Sequence, residues 1–120
     1  MNFILISKYE YVNMKHFIYN NLDIYLGESA VENWAMLDDI DPSHYFFHLS
    51  SFPSGYCSVM TSSLTPDIIE YAALMCKSGT KYRNLPNVYV DYCPYSNLIK
   101  GSKPGEAIFK SKRKVQRIKV

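Results

Sequence analysis

The sequence predicts a single α+β domain, in which a mixed, mainly antiparallel β-sheet packs against about two α-helices. Three observations predict it. A chain of 120 residues suits one domain with a core of its own. Short runs of aromatic and β-branched residues alternate with polar ones, as half-buried strands do. Two other segments repeat apolar residues at helical spacing behind candidate capping residues.

The N-terminal part of the chain predicts strands. Residues 2–7, 16–20 and 23–26 are short runs rich in Ile, Phe and Tyr, and Asn20–Asn21 is a turn dipeptide between the last two. These runs predict a meander that opens the fold. Residues 8–15 have mixed character and fit either a strand or a loop.

A first helix is predicted over residues 28–38, after Gly27 ends the third strand. Ser29 is its candidate N-cap. We expect Trp34 to lie in the core because it belongs to the apolar side of this helix. That side comprises Val31, Trp34, Ala35 and Leu37.

Residues 45–49 and 56–61 predict two antiparallel strands joined by a turn at residues 52–55 (FPSG). Alternation places His44, Phe46 and His48 on one face of the first strand. His48 fits two roles, a hydrogen-bonded structural histidine or a ligand contact. The pattern leaves both open.

Two clusters invite a metal-site hypothesis. Asp38, Asp39 and Asp41 lack the ligand spacing and central glycine of a calcium loop, so they predict a solvated helix end followed by a turn. His44 and His48 share a strand face, but a zinc site needs further ligands, and the position of Cys57 relative to them is undetermined. We therefore predict no metal site and no cofactor.

The best-marked element is a helix from Pro66 to about Gly79. Thr65 is the candidate N-cap, Pro66 suits the first helical position, and acidic residues of the first turn favour the positive end of the helix dipole. Gly79 is a plausible C-terminal cap. The predicted buried side comprises Ile68, Ile69, Ala72, Met75 and Cys76.

The C-terminal third predicts further strands. Residues 88–92 (VYVDY) alternate, with Tyr89 and Asp91 on the face opposite to the valines, and Pro94 ends this strand. Residues 95–105 have the turn chemistry of a loop. Residues 106–109 and 115–120 predict a final hairpin around the basic segment 110–114.

Charge is distributed unevenly along the chain. The formal net charge is +2, but residues 99–120 hold eight of the 13 basic residues and one acid, Glu106, for a local charge of +7. The remaining residues carry −5. A segregated basic end is typical of a phosphate-binding surface, although a basic run is also typical of a solvated tail.

Cysteine usage and hydropathy favour an intracellular protein. Three cysteines without Cys-x-x-Cys spacing suggest reduced thiols in the cytoplasm or the nucleus. The apolar run at residues 3–6 is too short for a signal peptide, and no stretch approaches the length of a membrane span. We expect no membrane partner.

Several short motifs occur in order along the chain. They are Gly27, Phe47–His48, residues 52–55 (FPSG), Ala72–Ala73, residues 88–92 (VYVDY) and residues 102–105 (SKPG). In this order they resemble the NFACT-R (DUF814) domain family, most strongly over residues 23–120, with residues 1–22 as additional N-terminal strands. The sequence is also similar to the single-domain type of this family that carries a coiled coil, because residues 92–98 (YCPYSNL) resemble its Tyr-Thr-Pro-Trp-Ser-Asn-Leu segment.

This sequence departs from the family pattern at two places. His44 and Phe46 occupy positions that usually carry Asp and Trp, and Ser54–Gly55–Tyr56 replaces a Gly-Ser-His turn. The coiled coil that follows the domain in the single-domain relatives is missing from this sequence. The resemblance implies an RNA-binding domain of proteins that act on stalled large ribosomal subunits with transfer RNA, and one relative is associated with DNA.

We therefore expect a nucleic-acid-binding module that is not an enzyme. RNA is the expected partner, as tRNA or rRNA, with DNA as an alternative and a ribosome-associated protein as a further partner. A protein-interaction module is the competing interpretation. We expect no catalysis, because the sequence has neither a glycine-rich phosphate loop nor a nucleophile with its base. The predicted contacts are His48, Tyr56, Lys77, Lys81, Arg83, Lys100, Lys103, Lys110, Lys112, Arg113 and Lys114.

Overall fold

The fold was obtained as a computed structural model, which describes residues 15–120. The predicted strand at residues 2–7 and most of the ambiguous segment after it lie outside the described residues. The helices are α1 (Ala30–Asp39) and α2 (Pro66–Ser78). The strands are β1 (Lys15–Tyr19), β2 (Leu22–Leu26), β3 (Tyr45–Leu49), β4 (Cys57–Val59), β5 (Tyr89–Pro94), β6 (Leu98–Lys100), β7 (Ala107–Phe109) and β8 (Gln116–Lys119).

Six strands form one sheet in the order β1-β2-β4-β3-β5-β8, and every neighbouring pair is antiparallel. β6 and β7 form a separate hairpin. Short 3-10 turns cover Tyr95–Asn97 and Lys112–Lys114. With two helices on an antiparallel sheet, the chain has the α+β fold that the sequence predicts.

The turn between β1 and β2 has a local sequence that suits its backbone conformation. Asn20 and Asn21 both have positive φ angles, 52° and 63°. A two-residue hairpin loop of type I′ needs this left-handed backbone at both positions, and asparagine adopts it more readily than most residues. The predicted turn is confirmed.

α2 covers one face of the sheet. Its buried residues are Ile68, Ala72, Ala73 and Cys76. They pack on alternating side chains of the central strands, among them Phe47, Leu49 and Val90. The helix begins after Thr65, with Pro66 in its first turn, and ends at Gly79 as predicted. Burial of this apolar stripe is the main contribution of α2 to stability.

α1 and the β6–β7 hairpin cover part of the opposite face. The Ser29 hydroxyl accepts the Glu32 N–H at 3.1 Å, so the predicted N-cap is confirmed. The predicted apolar side is wrong in part, because Val31 is 64% exposed while Met36 is buried. Trp34 is only half-buried, and its indole N–H donates to the Glu106 carbonyl at 2.9 Å.

The C-terminal prediction needs two corrections. The predicted loop over residues 95–105 contains β6, and the predicted final hairpin does not form. Instead β7 pairs with β6, and β8 pairs with β5, where Ile118 lies opposite Val90. β8 takes this place because its apolar side chain Ile118 packs against the core beneath α2, which pairing with the short β7 would not provide.

No described helix is both long and apolar enough to cross a membrane.

Candidate nucleic-acid interface

A groove runs along the face of the sheet that carries the β6–β7 hairpin. Two adjoining cavities of about 340 and 310 Å³ form it, and they share Ser50, Asp91 and Phe109. Phe46 and Tyr56 line the first cavity, which ends against the hairpin. The second cavity opens over β5 and β8. Each cavity is large enough to hold part of a small ligand.

Three polar side chains cross the floor of the groove in one row. His48 on β3 lies directly opposite Asp91 on β5, and Asp91 lies directly opposite Arg117 on β8. The Arg117 Nε–H donates to Asp91 Oδ1 at 2.9 Å, and the guanidinium lies 5.4 Å from the centre of the Tyr89 ring. Asp91 is 8% exposed, so its carboxylate is held in the floor while Arg117 reaches the rim.

His48 is neutral in this position. Burial lowers the pKa of its imidazole below the ordinary value of 6.5, and hydrogen bonds to backbone groups of Leu49 and Ser54, together with the negative charge of Asp91, only partly offset this effect. Because the Leu49 carbonyl can only accept, the contact of 2.7 Å to Nδ1 requires the proton on Nδ1. In the neutral ring, Nε2 is then a hydrogen-bond acceptor.

A basic turn at residues 110–114 flanks the groove, and a buried asparagine holds it in place. Asn97 Nδ2–H donates to the Ser111 carbonyl at 2.9 Å, and the Ser111 N–H donates to Asn97 Oδ1 at 3.0 Å. The Lys110 N–H adds a bond to the Asn97 carbonyl at 2.8 Å. Within residues 15–120, no carboxylate forms an ion pair with the four exposed cations of the turn, which are Lys110, Lys112, Arg113 and Lys114.

Comparison with known proteins shows the fold. A scan against protein-family models finds no match, and a search of the curated proteins also finds none. Among solved structures, the C-terminal part of the fibronectin/fibrinogen-binding protein from Streptococcus suis matches with a TM-score of 0.80 at 18% sequence identity. The match covers 89% of this chain and 44% of that chain, so this chain spans less than half of the solved one. At this identity the likeness carries the fold alone.

The other predicted cations lie in two further places. Lys77, near the end of α2 on the far side of the sheet, donates to the Val120 carbonyl at 3.2 Å. Lys81 and Arg83 follow in the loop after α2 and are exposed. Lys100 pairs with Asp38 at 2.9 Å and lies over the Trp34 ring. Lys103 is exposed at the tip of the β6–β7 hairpin. The fold therefore does not gather the eleven predicted residues on one surface.

Tyr56 occupies a different position from the one that its predicted role requires. Its side chain is 2% exposed, and its hydroxyl donates to the Gly105 carbonyl. It supports the groove from below instead of offering a face for stacking. Among residues 15–120, Tyr89 is an aromatic side chain that is exposed on this side of the sheet, at 46%.

Sequence reasoning missed three residues of the site. Arg117 and Asp91 form the ion pair in the floor, and Asn97 fixes the basic turn. The alternation of residues 88–92 already placed Asp91 outside the core face, but its partner depends on β8 lying beside β5. The only local indication for Asn97 was its position after a proline-terminated strand.

The acidic cluster is a helix end and a turn, as predicted. Both the Ser43 N–H and the Ser43 hydroxyl donate to Asp41, and these bonds lower the pKa of its carboxyl. Asp38 is paired with Lys100. In the described part of the chain, no group of three or more His, Cys, Asp and Glu side chains converges as metal ligands.

Proposed function

We propose that the chain is a nucleic-acid-binding module without catalysis of its own, which binds a phosphate backbone through the basic turn and Arg117. The observation that carries the proposal is the basic turn itself. Four cations that have no carboxylate partner among residues 15–120 stand on a segment held by Asn97, beside a groove lined by Lys112 and Arg117. Fixed, unneutralised cations are the groups that phosphates bind.

RNA is the favoured partner, as tRNA or rRNA, and DNA is the alternative. The resemblance of the sequence to NFACT-R domains supports this class, and with it a role at the ribosome. Contacts to phosphates position a strand without reading its bases, so we expect weak base specificity. Cys57, Cys76 and Cys93 are free thiols, which suits a reducing compartment such as the cytoplasm or the nucleus.

The thiols also support a non-catalytic role. Burial raises the pKa of Cys76 to about 12 and that of Cys93 to about 11, and it raises the pKa of Cys57 well above its ordinary value. The thiolate is the nucleophilic form of cysteine. All three side chains therefore stay protonated and unreactive near neutral pH.

A protein-interaction module is the second candidate. Ile99 and Ile108 are paired across the β6–β7 hairpin and remain 48% and 44% exposed. Apolar side chains on a small outer hairpin can dock on another protein. Such an interface would respond little to salt, which distinguishes the two candidates.

The proposal is tested by binding of single-stranded RNA, transfer RNA and duplex DNA over a salt series. If the four cations of the basic turn and Arg117, five in all, each neutralise one phosphate, log K against log salt should have a slope of about −4.5 on duplex DNA and about −3.5 on single strands. The key variant carries Lys112→Ala, Arg113→Ala and Lys114→Ala.

A matched control carries Lys77→Ala, Lys81→Ala and Arg83→Ala, which changes the net charge equally at the end of α2 and in the loop after it, outside the two cavities of the groove. We expect the key variant to lower the magnitude of the slope by about 2 to 3, with the control close to the wild type. Equal losses in both variants would place binding elsewhere. No binding at low salt would contradict the proposal and direct attention to protein partners.

A further inference from the structure

The groove changes its chemistry in a fixed order from one end to the other. Partly exposed aromatic rings line the first cavity, through Phe52 and Phe109, with the buried Phe46 beneath them, and Phe109 also borders the second cavity. Hydrogen-bond acceptors follow in the middle, at His48 and Asp91. Cations stand at the other end, at Lys112 and Arg117.

Asp91 has acceptor capacity that its described partner does not use. A carboxylate can accept about four hydrogen bonds, and Arg117 supplies one of them to Oδ1. The residue is 8% exposed, yet it lines both cavities. Its side chain keeps 11% of its surface exposed and borders both cavities, so a donor on a bound ligand can reach the remaining lone pairs from the groove.

His48 offers a second acceptor beside it. Its Nδ1–H is committed to the Leu49 carbonyl, which leaves Nε2 as the acceptor of the neutral ring. Because His48 and Asp91 are directly opposite in the β3–β5 register, their Cβ atoms lie about 5 Å apart. The spacing suits two neighbouring donors on one ligand.

Charge sets the direction in which a ligand would lie. Glu106 lines the aromatic end and would repel a phosphate there, whereas Lys112 and Arg117 attract it at the other end. A ligand that complements the groove would therefore carry a ring at one end, hydrogen-bond donors in the middle and an anion at the other end. This is the order of base, ribose and phosphate in a nucleotide. The hydroxyl groups of the ribose would donate hydrogen bonds to the two acceptors in the middle of the groove, His48 and Asp91.

We infer that the groove holds the 3′-terminal ribonucleotide of a bound strand, with its 2′- and 3′-hydroxyls donating to Asp91 and His48. The base then lies against the aromatic end and the phosphate between Lys112 and Arg117. This inference rests on the proposed function and adds that the module distinguishes RNA from DNA. The 2′-hydroxyl is the group that lets a protein make this distinction.

The test compares short single strands of one sequence as RNA, DNA and 2′-O-methyl RNA by fluorescence anisotropy at fixed salt. A hydrogen bond to a charged group corresponds to a preference for RNA of about tenfold or more. We expect 2′-O-methyl RNA to bind like DNA, because methylation removes the donor.

Two variants locate the preference. Asp91→Asn presents an amide donor where the carboxylate accepts, and His48→Phe keeps a ring but removes Nε2. We expect each to reduce the RNA-to-DNA affinity ratio severalfold, and the ratio cancels any general gain or loss of binding. Asp38→Asn makes the same charge change as Asp91→Asn away from the groove and should keep the wild-type ratio. Thermal melting of each variant shows whether it is folded.

The outcomes separate this inference from the proposal beneath it. Equal, salt-dependent binding of RNA and DNA by the wild type would overturn the ribose site and leave the nucleic-acid module standing. A preference for RNA that survives in both folded variants would also overturn the ribose site. If neither strand binds, both proposals fail.

Discussion

Replacement of Asn97 by alanine should loosen the basic turn without removing a single charge. The side chain is 3% exposed and makes two hydrogen bonds to the backbone of Ser111. Alanine loses both, while the bond from the Lys110 N–H to the residue 97 carbonyl can persist. The turn would then be held by fewer contacts, and its cations would lose their fixed positions.

The expected loss of stability follows from these two bonds. Each contributes about 1 kcal/mol net, and the Ser111 N–H and carbonyl left without partners add to the cost, for a total of about 2 to 3 kcal/mol. For a domain of this size, 1 kcal/mol lowers the melting temperature by about 4 °C. We therefore expect Asn97→Ala to melt about 8 to 12 °C below the wild type.

Thermal unfolding, monitored by circular dichroism, measures the loss of stability. Hydrogen exchange of residues 110–114 measures the loosening of the basic turn. Asn84→Ala is the matched control, since Asn84 is exposed in the loop after α2. We expect faster exchange in the basic turn and weaker RNA binding at an unchanged salt slope. A melting temperature within about 2 °C of the wild type, or unchanged exchange at the turn, would refute the role assigned to Asn97.

Two further substitutions test the stability of the fold, and a pH series tests the protonation of His48. Gly105→Ala should lower the free energy of unfolding by about 2 kcal/mol in urea, because Gly105 has φ of 84° and an added Cβ would meet Ala30 at 2.8 Å; an unchanged midpoint would contradict this. Ser29→Ala should cost about 1 kcal/mol by the same assay through loss of the N-cap, whereas Ser29→Thr should cost less. Burial lowers the folded-state pKa of His48, so the unfolded state binds the proton more readily. The melting temperature should fall as the pH drops below 6.5 towards that lowered pKa, and a pH profile that His48→Phe leaves unaltered would argue against this.

Elements with strong local preferences could be predicted from the sequence. Asn20–Asn21 fixed the first hairpin, Ser29 marked the start of α1, and Pro66 marked the start of α2, because caps and left-handed turns depend on a few adjacent residues. The alternation of β3 also placed Phe46 and Phe47 on opposite faces. Local chemistry was sufficient for each of these.

Pairing over long distances could not be predicted in the same way. β8 follows β7 in the chain, yet its partner is β5, because burial of Ile118 depends on a core built from distant segments. The groove has the same origin, since His48, Asp91 and Arg117 come from three strands that meet only in the folded sheet. No spacing in the sequence relates these three residues.

β8 is an outer strand of the six-stranded sheet, and no other described strand pairs with its free side. Such an edge can template pairing with another chain, and charged side chains on it, lysine above all, discourage that association. Arg117 and Lys119 stand on this edge, and the basic turn leads into it. Arg117, which is proposed to contact a phosphate, would therefore also discourage two copies of the sheet from pairing at this edge. Phosphate contacts that neutralise Arg117 would weaken this protection, so crowding of the protein along a strand would favour contact between the edges of neighbouring copies.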